Sequence, residues 1–240
     1  MIVEITGPSG VGKSVYIANL IKELSANGLS TGAIHSEKLN KCNLIPKYFS
    51  DIESHNVVTD LYALPWCFLL LVFNPRFCLF TFSCILMIDE TVGAKVAMLR
   101  SFIRKAGIYR FLRRKKFKKF FIVVDEGLFH SSHNFLCSSS RCATDNEIRR
   151  FFKLCPLPDR LIVLNASEAA LLERLTTRGD LSPRIKNENQ LAGFIKNARL
   201  LFIKLGHLCV SRDAGIIIDV DDFSGRQHLI AGIKYITVNC

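Results

Sequence analysis

The sequence predicts an α/β fold: a five-stranded parallel sheet with helices on both faces and a helical insert, in a single domain over residues 1–240. Three observations carry that expectation. Short apolar runs at Ile2–Thr6, Ser30–His35, Phe120–Asp125, Arg160–Leu164 and Gly215–Val220 alternate with stretches of helical period. Most of these runs lack polar alternation, as strands covered on both faces do. A glycine-rich turn separates the first run from the first helix, and acidic residues follow the second and third runs.

That turn reads Gly7-Pro8-Ser9-Gly10-Val11-Gly12-Lys13-Ser14, which is the G-x-x-x-x-G-K-S spacing of a P-loop. By average composition the four fixed letters arise by accident in on the order of one chain in a hundred of this length, before strand and helix context is required. Gly7, Gly10 and Gly12 allow a tight turn whose N–H groups point at phosphate oxygens. Lys13 would neutralise β- and γ-phosphates, and Ser14 would offer its hydroxyl to Mg²⁺. Val15 lies where the turn enters the helix, whose positive end faces the same phosphates. Ile17, Leu20, Ile21 and Leu24 fall on one helical face, and Asn27-Gly28 ends it. The chain is therefore expected to bind a nucleoside triphosphate.

At 240 residues and 49% apolar composition the chain can bury a full core. The loop begins so near residue 1 that no secretory signal is expected ahead of it. Nine cysteines without a C-x-x-C pair read as reduced thiols, mostly small buried hydrophobes. Net charge is +11, much of it in Arg110, Arg113, Arg114, Lys115, Lys116, Lys118 and Lys119. Such a run suits a solvated helix face, an anionic membrane or a polyphosphate. With only Phe111 and Phe117 for stacking, nucleic acid is not expected.

After the second strand, Glu37 sits where the carboxyl ends of parallel strands face a ligand crevice. Residues 38–57 read as loop. From Leu61 to Ile88 the chain is strongly apolar, divided by Asn74-Pro75-Arg76 into legs too short to span a bilayer. Strands before and after it must share one sheet, so any crossings would be even in number. A buried helical insert at about 58–119 is the favoured reading, with a hairpin at a membrane interface and a true crossing left open. Residues 89–119 read as helix punctuated at Gly93 and Gly107.

Phe120 to Gly127 is a buried strand ending in Asp125-Glu126, the place where P-loop proteins keep a Mg²⁺-holding carboxylate. His130 and His133 read as loop or capping residues, since no third metal ligand accompanies them. Thr144 and Glu147 form a capping-box pattern for a helix through Leu154. After the fourth strand, Ser167 caps a helix with Leu171, Leu172 and Leu175 inward. Arg174 and Arg178 leave one face of it, and Arg184 follows a Gly/Pro loop; three such cations suit a lid over transferring phosphates. A long helix spans about Asn189 to Leu205, stopped at Gly206. The last helix begins near Arg226.

In this order the parts resemble the P-loop kinase superfamily, distantly its thymidylate-kinase-like and deoxynucleoside-kinase-like branch. The resemblance covers roughly 1–37, 120–136 and 158–238. It implies an ATP-dependent, Mg²⁺-dependent kinase acting on a small-molecule acceptor. Gly7 to Val15 would hold the triphosphate, and Ser14 and Asp125 the metal. Arg174, Arg178 and Arg184 would clamp the γ-phosphoryl group, and Glu37 would act as base. Thymidylate kinases carry Asp-Arg after strand three, where this chain has Asp125-Glu126. That departure points to a neutral acceptor, or to an acceptor phosphate gripped by the basic insert.

A competing reading is a P-loop ATPase or switch, with Glu126 polarising water, associated with a membrane-linked assembly such as surface-polysaccharide synthesis. The chain lacks the L-S-G-G-Q of transporter ATPases and the N-K-x-D of guanine recognition, which favours the kinase. A cytoplasmic protein is expected, with peripheral contact at the inner membrane face through 61–119 left open.

Overall fold

In the computed structural model, residues 1–26, 31–34, 57–115, 121–178, 185, 187–221 and 227–237 are described. Strand β1 (Ile2–Thr6) runs through the middle of the sheet with every residue buried. It pairs in parallel with β3 (Phe121–Asp125) on one side and β4 (Arg160–Asn165) on the other. Beyond β3 lies the short edge strand β2 (Thr31–Ile34), and beyond β4 lies β5 (Gly215–Asp219). The order is β2-β3-β1-β4-β5, parallel throughout. Ile5 stands opposite Asp125 and Thr6 opposite Val163, so three strands finish together where α1 begins.

Helix α1 (Lys13–Ala26) buries Tyr16, Ile17, Leu20 and Leu24. Tyr16 takes the inward place expected of Ile21, which is only partly buried, and its hydroxyl donates to the His228 carbonyl at 3.3 Å. That bond ties α1 to α9 (Gln227–Thr237). The expected stop at Asn27-Gly28, the loop over 38–56 and Glu37 lie outside the described residues.

The apolar stretch forms α2 (Val57–Phe73) and α3 (Pro75–Met87), bent by 112° at Asn74. Among the described residues no single helix is long and apolar enough to cross a bilayer. Inward faces are buried through Ala63, Cys67, Leu70, Phe77 and Phe80, whereas Leu61, Phe68, Val72 and Leu86 face outward. The insert is thus buried on one side only.

Helix α4 (Val92–Leu112) runs unbroken through both Gly93 and Gly107, contrary to the expected punctuation. A glycine inside a helix weakens it by about 1 kcal/mol against Ala, too little to stop one held by packing. Gly107 lets α4 press directly on the backbone of Ala63 in α2. The same pair of helices is joined by Trp66 against Phe111, edge to face at 5.3 Å, and by a fork from Arg100 and Arg104 onto Asp60. Arg104 reaches Asp60 Oδ1 at 2.6 Å. Partial burial opposes the charge of Asp60, but the two guanidinium groups outweigh it and hold the carboxyl below its ordinary value.

In the described part of the basic run, Arg110, Arg113 and Arg114 engage partners within the chain. Arg113 pairs with Asp159 at 2.5 Å and donates to the Leu157 carbonyl. Arg110 lies over the Phe73 ring at 4.4 Å and Arg114 over Trp66 at 5.1 Å. Lys116, Lys118 and Lys119 lie outside the described residues.

Past β3, a 3-10 turn (Phe129–Ser131) leads into the short α5 (Ser132–Phe135). Helix α6 (Asp145–Leu154) opens on the Thr144/Glu147 capping box, with both reciprocal bonds formed. Helix α7 (Glu168–Arg178) buries Leu171 and Leu175 but leaves Leu172 exposed, because three leucines spread wider than the narrow face α7 turns to the core. Helix α8 (Glu188–Val210) continues through Gly206 instead of ending there. A Cβ at Gly206 would meet the Ile217 side chain at 2.8 Å, so this glycine permits close approach to β5 rather than termination. The cysteines among the described residues are free, and most are buried.

Candidate functional site

The site forms where β1 and β3 end and α1 begins. Gly7, Gly10 and Gly12 have φ of +150°, +81° and +91°, values that side chains rarely adopt. A Cβ on Gly10 would meet Leu175 at 2.9 Å, so α7 packs directly under the loop. Val11 is buried, Ser14 and Val15 are exposed, and Pro8 accepts from the Val11 N–H at 3.3 Å. Gly7 through Val15 thus form one tight turn, and α1 points its amino end at the opening.

Lys13 is 8% exposed and curls back onto the loop. Its ammonium donates to the Gly7 and Pro8 carbonyls at 3.2 Å each and pairs with Glu126 Oε1 at 3.0 Å. Asp125 closes β3 beside it, partly buried. Lys13 and Glu126 meet here, and Asp125 adjoins Glu126 in the chain.

Three residues of the site were missed or misread from the sequence. Lys105, from the insert helix α4, is 7% exposed and reaches Glu126 Oε2 at 4.0 Å. His130 is buried rather than a loop or capping residue; its Nδ1 lies 2.9 Å from the Thr6 hydroxyl and its Nε2 3.5 Å from Glu126. Glu4, inside the central strand, accepts the backbone N–H groups of Phe129 and His130 at 3.2 and 2.8 Å. Glu4 also explains Gly127, where a Cβ would sit 2.6 Å from its carboxylate. The available signals were an acid within an apolar parallel strand and a cluster of polar residues following the next one. Lys105 had none, being one cation among many on α4.

Burial pushes the Glu4 carboxyl up to about 7, against the two backbone donors and Lys105. Burial likewise lowers Lys105, with Glu126, Glu4 and Asp125 opposing and Lys13 adding to the drop. His130 is held well below the ordinary imidazole value by burial, so it faces Glu126 as a neutral ring. An ionised carboxylate can only accept, which assigns the proton to Nε2 and leaves Nδ1 to accept from Thr6. For Glu126 burial works against charge, yet its cationic surroundings outweigh it and hold the carboxyl well below its usual value. With His130 neutral, the lysines supply that attraction.

Of the three arginines expected over the phosphates, Arg174 and Arg178 lie among the described residues. The Arg174 guanidinium donates to the carbonyls of Val11, Val220 and Asp221 at 3.5, 3.1 and 2.7 Å, tying the loop to the turn after β5. Arg178 is exposed at the end of α7, and Arg184 lies outside the described residues, as does Glu37.

A parallel sheet in this order, with a glycine-rich loop leaving its central strand and acids ending the next, has a fold found among solved nucleoside kinases. Among solved structures the chain is similar to deoxyadenosine kinase from M. mycoides with the products dCMP and a flexible dCDP bound, at TM-score 0.51 and 13% identity, covering 99% of this chain and 100% of that one. The same enzyme with bound dCTP gives 0.49 and 11% over 99% and 100% of the two chains. With bound dATP it gives 0.48 and 12% over 98% and 99%. At such identity the likeness is one of fold. No protein-family model matches the chain, and no curated protein matches it by sequence.

Proposed function

We propose that the chain is an ATP-dependent phosphotransferase of the nucleoside-kinase-like class, moving the γ-phosphoryl group of ATP to a small acceptor. The observation that carries this reading is the Lys13 ammonium, held at the joint end of β1 and β3 by two loop carbonyls and Glu126. Those partners are weak substitutes for a polyphosphate tail. Gly7 to Val15 would wrap that tail with backbone N–H groups, and Lys13 would swing onto its β- and γ-oxygens.

Ser14 and Asp125 offer a hydroxyl and a carboxylate, the oxygen donors that Mg²⁺ prefers. Among the described residues no cluster of three His, Cys, Asp or Glu side chains could hold a metal alone. Beside the phosphates the ion would supply charge neutralisation. Phosphoryl transfer otherwise asks for positioning and cations around a loose transition state. Arg174 acts as a positioning residue through its hold on Val11, while Arg178 and Arg184 are the candidates to meet the phosphoryl group. Glu37 is the candidate to take the proton of the acceptor hydroxyl.

The deoxynucleotide products held by the M. mycoides enzyme make nucleosides the first acceptors to try. ADP formation from ATP would be followed with deoxynucleosides, nucleotides and sugars, on wild type and Lys13→Ala. Acceptor-stimulated ADP formation lost in Lys13→Ala is the expected result. Fast acceptor-free turnover abolished by Glu126→Gln would replace the kinase with an ATPase.

A further inference from the structure

We infer that Lys105 is a second phosphate-binding cation of this site, and that Glu126 occupies its anion position until a phosphate displaces it. The inference rests on the phosphotransferase reading and adds a residue from the insert to it. Three buried side chains, Lys13, Lys105 and His130, converge on a single carboxylate at 3.0, 4.0 and 3.5 Å. The cations and the imidazole are 8%, 7% and 3% exposed, whereas Glu126 keeps 34%. The anion thus sits on the solvent side of a set of inward-held donors. Such a set binds any oxyanion that reaches it, and the adjoining loop is built for phosphates.

Two further features mark the carboxylate as replaceable. Glu126 holds φ at +51°, a left-handed conformation uncommon for a residue with a side chain. Its contact with Lys105 at 4.0 Å is longer than a hydrogen bond, so the ammonium is only loosely matched. A phosphate oxygen has the reach and charge to close that gap. Lys105 is in turn held in place by its helix: Gly107 seats α4 on Ala63, and Arg104 next to it is locked onto Asp60. The insert therefore delivers a cation to a site whose third strand ends in an acid where an arginine is absent.

The bound phosphate could be the γ-phosphate of the donor or a phosphate on the acceptor, and binding assays separate the two. Affinities for ATP, ADP, AMP and tripolyphosphate would be measured by calorimetry on the full chain as wild type, Lys105→Met, Glu126→Gln and Lys13→Ala. Lys105→Met is expected to weaken tripolyphosphate roughly ten- to hundredfold, the worth of one charge-assisted hydrogen bond. Glu126→Gln is expected to strengthen it, since the competing carboxylate charge is gone. A Lys105→Met loss for ATP but not ADP assigns the contact to the γ-phosphate, and a loss for AMP assigns it to the acceptor. Lys105→Met affinities within twofold of wild type for all four probes would overturn the inference. So would weaker tripolyphosphate binding by Glu126→Gln, which decides the matter should Lys105→Met fold poorly. If wild type binds ATP and Lys13→Ala does not, such a failure is confined to Lys105. Wild type that binds neither ATP nor tripolyphosphate would instead remove the phosphotransferase reading itself.

Discussion

Gly107→Ala should destabilise the protein although it exchanges a poor helix former for the best one. The added methyl would stand 2.8 Å from both Cα and Cβ of Ala63 and closer still to its carbonyl oxygen. Carbon atoms rest about 3.5–4.0 Å apart, so α2 and α4 would have to separate by roughly 1 Å. Neither contact is the end of a flexible side chain, so no rotamer change relieves it. Overpacking of this kind costs about 1–3 kcal/mol, and contact with backbone puts it at or beyond the upper end. Separation also loosens the Trp66–Phe111 contact and the Asp60 fork, which span the same helices. Against this stands a helix-propensity gain of about 1 kcal/mol. The net loss is about 2–3 kcal/mol, or a melting point lower by roughly 5–10 °C for a chain of this size. Gly93 on the same helix is the control, since a Cβ there meets nothing within 4 Å. Gly93→Ala should be neutral or up to about 1 kcal/mol more stable. Urea unfolding followed by circular dichroism reads both. Equal or increased stability in Gly107→Ala would mean that the two helices do not meet at Ala63, and the placement of Lys105 would fall with that contact.

Glu4 makes stability depend on pH. Its carboxyl is raised from 4.5 to about 7 in the folded chain, so between those values the folded state holds a proton that the unfolded state has released. Stability contributed by this group is present below pH ~4.5 and falls by about 3 kcal/mol as pH rises through 7. Glu4→Gln should remove that fall; unfolding curves at several pH values with an undiminished slope would contradict the burial argument. Asp60→Asn should cost about 2–3 kcal/mol, because it leaves Arg104, only 6% exposed, facing a neutral group. A urea-measured loss below about 0.5 kcal/mol would show the fork to be ornamental.

How much of this was legible beforehand follows from how local each signal is. Gly7 to Ser14, the acids closing β3, the Thr144/Glu147 capping box and the apolar strands each depend on neighbours a few residues away. Local sterics and hydrogen bonding leave little else for such stretches to do. The glycines mark the limit. Gly93, Gly107 and Gly206 look alike in sequence, and all three suggest helix ends. Gly107 and Gly206 instead serve contacts with Ala63 and Ile217, distant partners that no local pattern announces.

The same division holds at the site. The chain's order of residues determined that a glycine-rich turn would leave the first strand of a parallel sheet, because turn chemistry and hydrophobic period are short-range properties. Only the tertiary structure decided that Glu126 would bridge Lys13 and Lys105, that His130 would be buried against Thr6, and that Arg174 would brace the loop. Those outcomes depend on which cations are drawn out of water together, and burial is set by elements that meet only when the whole sheet and insert have packed.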